Sequence, residues 1–211
     1  MNQGRGNWNL RGEAPIPGST EFLRLYEGKD DFFIRLSSLS GELMSTRKHG
    51  SEDALGTLPC QRLRQIESAR VLIGGLGMGF TLAAALKEVG EQAQVTVAEL
   101  IPQVVEWNRG PLGAHSGWPL EDPRTRIYQG NVEDLLYKAN GEYDVIALDV
   151  DNGPEGLTVA SNDRLYSTQG ILTAMNALSA DGTLAYWSAT SDREFHDRLR
   201  MCGLKVEEIR V

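Results

Sequence analysis

Residues 71–86 read VLIGGLGMGFTLAAAL: an apolar strand, a turn carrying Gly75, Gly77 and Gly79, and the start of a helix. Glycines in such a turn let the backbone come close to a ligand. The next apolar segment, QVTVAE at 94–99, ends in Glu99, which stands 20 residues beyond Gly79, the usual distance from a glycine turn to a ribose-binding acid. A carboxylate there can accept hydrogen bonds from both ribose hydroxyls. The competing reading is a tight strand-to-helix turn beside an exposed glutamate. Phe80 and Thr81 follow G-x-G-x-G where the dinucleotide fingerprint needs G-x-G-x-x-G, so a pyrophosphate cradle is poorly matched. A nucleoside without phosphates fits better. S-adenosylmethionine and its relatives, which carry a sulfonium instead of an anion, are ligands of that kind.

Outward from this stretch, apolar segments alternate with amphipathic ones, which argues for a parallel sheet with helices on both faces. The expected strands are 71–75, 94–99, 126–130, 143–149 and 183–189, with a last strand near 204–210. Helices are expected near 80–89, 102–109, 132–139, 164–179 and 191–202. The fold class is therefore α/β, a doubly wound and mostly parallel sheet, over residues 70–211. Ahead of it, EFLRLYEG (21–28) and DFFIRLSS (31–38) alternate apolar and polar residues around a Gly28-Lys29-Asp30 turn, the pattern of a β-hairpin. Residues 51–68 open with the acids that a helix N-terminus favours and carry Pro59, placed to kink that helix. Residues 20–69 thus form an N-terminal hairpin and helix. Residues 1–19, rich in Gly, Asn and Pro and without apolar period, read as a flexible leader.

At 211 residues, with 41% hydrophobic and 24% charged, the chain is neither a disordered tail nor a collagen-like fibre. No uncharged run exceeds the length of 71–86, which is shorter than the roughly 20 apolar residues a membrane helix needs and is interrupted by glycines. The net charge of −8 provides no electrostatic footprint for nucleic acid. A cationic small substrate is tolerated, although solubility alone accounts for such a charge. Cys60 and Cys202 have neither metal-type nor redox-type spacing, and the first residues lack the apolar core of a secretory signal. No metal and a reducing, cytoplasmic setting are the expectations.

An ordered set of motifs resembles the polyamine aminopropyltransferases, the spermidine synthase family, from about residue 32 to residue 189. It comprises the glycine loop at 74–81 followed by LAAAL, the acid Glu99, DPRTRIYQGN at 122–131, YDVIALDVDNGP at 143–154 and LYSTQGILTAMNALSADGTLAY at 165–186. The resemblance implies that Gly75, Gly77, Gly79 and Glu99 hold the adenosyl group of decarboxylated S-adenosylmethionine. Asn131 matches an adenine-contacting acid, and its amide oxygen can still accept from the adenine amino group. Met78 stands where the family has an aspartate, so discrimination against intact S-adenosylmethionine is expected to weaken. A methyltransferase-like Rossmann fold and a homodimer are also implied.

Asp149 follows the fourth strand and matches the family's presumed base, while Asp151 lies one residue before the position of its second aspartate, which here is Asn152. Aminopropyl transfer needs a neutral amine, and an alkylamine with pKa near 10.4 is only about 0.1% neutral at pH 7. A carboxylate in reach can hold the ammonium and take its proton. Both aspartates could instead brace a turn. In the KHGSEDAL segment (48–55), Glu52 matches a family glutamate, and His49 is a shifted counterpart of a family histidine; a helix N-terminus explains Glu52 equally well. Tyr166 corresponds to an aromatic beside the pocket, or to core packing. The segment at 110–123, with His115 and Trp118, is long enough for a loop over the site. The leading reading is an enzyme transferring an aminopropyl group to a small cationic amine, without metal. A methyltransferase using intact S-adenosylmethionine and a non-catalytic nucleoside-binding homologue are the alternatives.

Overall fold

The computed structural model describes residues 8–39, 41–149 and 162–211; Asp151 lies outside the described residues. Four strands, β1 (Asn9–Pro15), β2 (Phe22–Glu27), β3 (Phe32–Leu36) and β4 (Met44–Ser45), form an antiparallel sheet in that order. The expected hairpin is β2 and β3, closed by the Gly28 N–H donating to the Asp31 carbonyl at 2.8 Å. Its alternation buries Leu23, Leu25, Ile34 and Leu36 on one face.

Part of the segment expected as a leader is instead β1, paired with β2 and burying Ala14 beside Ile16. Glycine at position 12 lets this strand lie against Trp107, whose Nε1 would stand 2.7 Å from any Cβ added there. Helix α1 (Gly50–Thr57) stops two residues before Pro59, and a 3-10 turn (Gln61–Gln65) follows. Pro59 thus follows the helix end where a kink was expected: Leu58 keeps helical angles (φ −61°, ψ −49°), and proline has no N–H to continue the hydrogen-bond ladder.

The second sheet contains β5 (Arg70–Gly74), β6 (Gln94–Glu99), β7 (Thr125–Gln129), β8 (Tyr143–Leu148) and β9 (Leu178–Tyr186), all parallel, in the order β7-β6-β5-β8-β9. Helices α2 (Phe80–Glu88), α3 (Pro102–Arg109), α4 (Gly113–Ser116), α5 (Val132–Lys138), α6 (Thr168–Ala177) and α7 (Arg193–Met201) accompany it. Both faces of its central strands are buried. Val71, Ile73, Val95 and Val97 join the core shared with the N-terminal sheet, α2 and α3, whereas Leu72, Ile146 and Leu148 meet Leu136, Ile171 and Phe195 of α5, α6 and α7.

The helix expected over 164–179 is divided. A 3-10 turn (Asn162–Tyr166) comes first, and then Ser167 caps α6 by accepting from the Gly170 N–H at 3.1 Å. The last strand expected near 204–210 is absent from the described residues: Leu204 and Val206 rest on the second core, but Glu207 and Glu208 break the alternation and Ile209 is 52% exposed. No helix among the described residues is long and apolar enough to cross a membrane.

This strand order positions the site. From β5 the chain winds outward to β6 and β7, then returns to place β8 on the other flank of β5. Ligands of open α/β sheets bind at that reversal, beyond the carboxyl ends of the strands. Gly75 follows β5 and Asp149 follows β8, and the Asp149 N–H donates to the Gly74 carbonyl at 2.7 Å.

Candidate functional site

Gly75, Gly77 and Gly79 have φ of +92°, +51° and +84°, left-handed values that side chains disfavour, so this turn requires its glycines. The Gly79 N–H donates to the Leu76 carbonyl at 2.8 Å, and α2 starts immediately afterwards. Glu99 is buried, contrary to the exposed glutamate of the competing reading. Its carboxylate accepts from the Leu76 N–H at 2.9 Å and the Ile101 N–H at 2.8 Å. The backbone N–H groups of Gly77 and Leu100 also act on this carboxylate. Burial pushes the Glu99 carboxyl above its ordinary range, and the surrounding backbone donors oppose that rise.

A cavity opens beside this loop. Gly75, Gly77, Met78, Glu99, Asn131 and Asp149 all line it, with Glu52 from α1 and Thr81 from α2. Leu23, Ile34, Leu43 and Met44 bring the N-terminal sheet against it, so the chain's own hairpin closes its own cavity. Three of the described lining residues are carboxylates, and none is Lys, Arg or His. Asp149 shows the consequence. Burial, reinforced by the charge of Glu52 and more weakly by Glu99, pushes its carboxyl up to about 7, against the Thr81 hydroxyl donating to Oδ2 at 3.0 Å. An anionic, partly apolar cavity with no cation among its described lining residues favours a cationic ligand. Among the described residues no His, Cys, Asp or Glu cluster of three or more is arranged to hold a metal ion.

The remaining expected residues divide. Asn131 lines the cavity and also caps α5, its Oδ1 accepting from the Glu133 N–H at 3.0 Å. His49 is one layer back: its ring stacks on Phe80 with centroids 3.9 Å apart, and Nδ1 is 2.8 Å from Asp53 Oδ2. Tyr166 is not among the described lining residues; it packs in the second core against Tyr186 and Phe195. Trp187 lines the cavity, whereas Trp107 is a core residue. The segment over 110–123 contributes no described lining residue. Instead Ser116 and Pro119 stand behind Gly79, where an added Cβ would meet Ser116 Oγ at 3.0 Å and Pro119 Cγ at 3.3 Å.

Two residues were missed. Thr81 lies in the decisive stretch, but a threonine in a first helical turn carries no sign of a carboxylate 68 positions away. Asn108 gives no sequence signal, yet its Nδ2 donates to both the Gly77 and Val104 carbonyls at 2.9 Å.

No family model matches the chain, and no curated protein matches it in sequence. Among solved structures it is similar to a spermidine synthase in complex with the transition-state analogue AdoDATO, with TM-score 0.69 and 20% identity, over 92% of this chain and 63% of that one. It is also similar to the spermidine synthase of Thermotoga maritima, with TM-score 0.66 and 19% identity, over 92% of this chain and 61% of the other. A probable spermidine synthase from Corynebacterium glutamicum ATCC 13032 gives TM-score 0.57 and 16% identity, over 83% of this chain and 62% of its own. The chain thus spans less than two thirds of each of these proteins. An antiparallel N-terminal sheet on a five-stranded parallel α/β domain, with the cavity at the reversal of strand order, gives this chain the fold of the spermidine synthases.

Proposed function

We propose that the chain is a spermidine synthase-like transferase that binds an S-adenosyl sulfonium and alkylates a small amine, with aminopropyl transfer from the decarboxylated form as the leading reaction. The observation that carries this reading is the cavity with three carboxylates and no described lining cation. The lining fits such a substrate: Glu99 presents a buried carboxylate as an acceptor for ribose hydroxyls, Ile101 and Val104 offer apolar contact for a base, and Glu52 and Asp149 favour positive charge.

The sulfonium substrate supplies an electrophilic carbon; its C–S bond breaks as the amine nitrogen forms the new C–N bond, the electron pair staying on sulfur. The chain's part is to deliver a neutral amine. Asp149, held by Thr81, accepts the ammonium's hydrogen bond and then its proton at a carboxylate oxygen. With its carboxyl pushed up to about 7 from 3.8, the gap to an alkylammonium near 10.4 is roughly half of what an ordinary aspartate faces. Glu52 adds negative potential at the amine.

One feature favours a second reading. Met78, 4% exposed, lines the cavity without charge, so this position does not repel the carboxylate of intact S-adenosylmethionine. A methyltransferase accepting that substrate is the alternative. Calorimetry tests the shared core of both readings: an S-adenosyl sulfonium should bind at least about tenfold tighter than NAD. Equal or tighter binding of NAD contradicts the proposal.

A further inference from the structure

The geometry points to Asn108 as a positioning residue that clamps the glycine loop to the end of α3 and thereby holds the nucleoside cradle in shape. Asn108 lies in the last turn of α3 and is 1% exposed. One donor of its amide returns to Val104, a turn earlier; the other crosses to Gly77 in the middle of the loop. Both neighbours are carbonyl oxygens, which dictates that the NH2 end of the amide faces them.

The other end of the same amide is buried behind the loop. Oδ1 has no hydrogen-bond partner among the described residues, and a Cβ added to Gly79 would stand 2.8 Å from it. Asparagine is neither a strong helix former nor a favoured core residue, and leaving its oxygen unpaired is unfavourable. Helix formation therefore does not account for it; the bond to Gly77 does. Asn108, Ser116 and Pro119 form a wall behind Gly79, so displacing the amide releases both the middle of the loop and the entry to α2. The consequence for ligand affinity rests on the function proposed above. The clamp itself does not.

The test uses Asn108→Leu, which fills the space without donors, and Asn108→Asp, which keeps one O–H donor while protonated. Amide hydrogen exchange is followed at Gly75, Leu76 and Gly79, whose N–H groups bond within the site, with Val71, Leu72 and Ile73 of β5 as reference. In Asn108→Leu the loop amides should exchange at least about tenfold faster relative to the reference. Equal acceleration of loop and reference would mean that Asn108 serves only general packing, and would overturn the assignment. Binding of 5′-methylthioadenosine is then measured against the unsubstituted chain at each pH. Asn108→Asp should stay within about threefold at pH 5.5 and lose at least about tenfold at pH 8, whereas Asn108→Leu is weak at both. Matching affinities for Asn108→Asp and the unsubstituted chain at both pH values would also overturn it. Failure of the unsubstituted chain to bind the nucleoside would count against the proposed function, and loop exchange would still decide the role of Asn108.

Discussion

Replacing Asp149 by Asn should make the protein more stable, and increasingly so as pH rises. In the folded chain the Asp149 carboxyl sits at about 7 against 3.8 for an ordinary aspartate, chiefly through burial and then through the charge of Glu52. Between those values the folded state holds a proton that the unfolded state has released, so stability falls as pH climbs through that window. The full difference of about three pH units corresponds to roughly 4 kcal/mol, of which about 2–3 kcal/mol develops between pH 5 and pH 8. An Asn at this position cannot ionise and still offers an oxygen to the Thr81 hydroxyl. Urea denaturation of both proteins at pH 5, 6, 7 and 8, at fixed ionic strength, should show the advantage of Asp149→Asn growing by about 2–3 kcal/mol across the series. An advantage that stays constant within about 0.5 kcal/mol would mean that Asp149 is not held against its ionisation, and the catalytic argument built on it would fail. The same substitution should lower amine alkylation at least about a hundredfold while leaving nucleoside affinity within a few fold.

Alkylation by the unsubstituted protein should rise with pH through about 7, as Asp149 loses its proton and becomes able to accept one; a rate independent of pH from 6 to 8 would speak against that role. Met78→Asp should favour decarboxylated over intact S-adenosylmethionine by up to about 3 kcal/mol, the cost of a like charge about 5 Å from the carboxylate at an effective dielectric near 20, as read by competition calorimetry. The unsubstituted chain should bind the two forms within about tenfold of each other, and a thousandfold preference would refute the account of Met78. Gly79→Ala should destabilise by about 1–3 kcal/mol in thermal unfolding, since φ is +84° and the new Cβ would meet Asn108 Oδ1 at 2.8 Å. Glu99→Gln should weaken 5′-methylthioadenosine about tenfold, because one of the two acceptor oxygens becomes a donor group.

The parallel sheet and its glycine loop were legible because local chemistry determines them: the apolar run at 71–74 must be buried on both faces, and Gly75, Gly77 and Gly79 suit left-handed backbone. Glu99 and Asp149 were legible for the same reason, each standing where an apolar strand ends. Strand β1 was hidden because NLRGEAP has little apolar alternation of its own and is held by pairing with β2 and contact with Trp107. The segment after α7 misled in the opposite direction, since Leu204 and Val206 suggest a strand that no neighbour pairs in the described residues. Carboxylate proximity was likewise invisible: Glu52 acts on Asp149 only because α1 packs onto α2, where Gly56 allows backbone contact and an added Cβ would lie 2.3 Å from the Thr81 carbonyl. Asn108 depends on a contact across 31 residues that no local pattern encodes.

The central claim, transfer of an alkyl group from an S-adenosyl sulfonium to an amine, is tested most directly by mass spectrometry of products formed from labelled decarboxylated and intact S-adenosylmethionine over a set of diamines. The account predicts an amine carrying one labelled aminopropyl group, formed with release of 5′-methylthioadenosine and lost in Asp149→Asn. A labelled methyl group on the acceptor would replace aminopropyl transfer with the methyltransferase reading. Bound nucleoside with neither product, across diamines and methyl acceptors alike, would contradict the claim of catalysis.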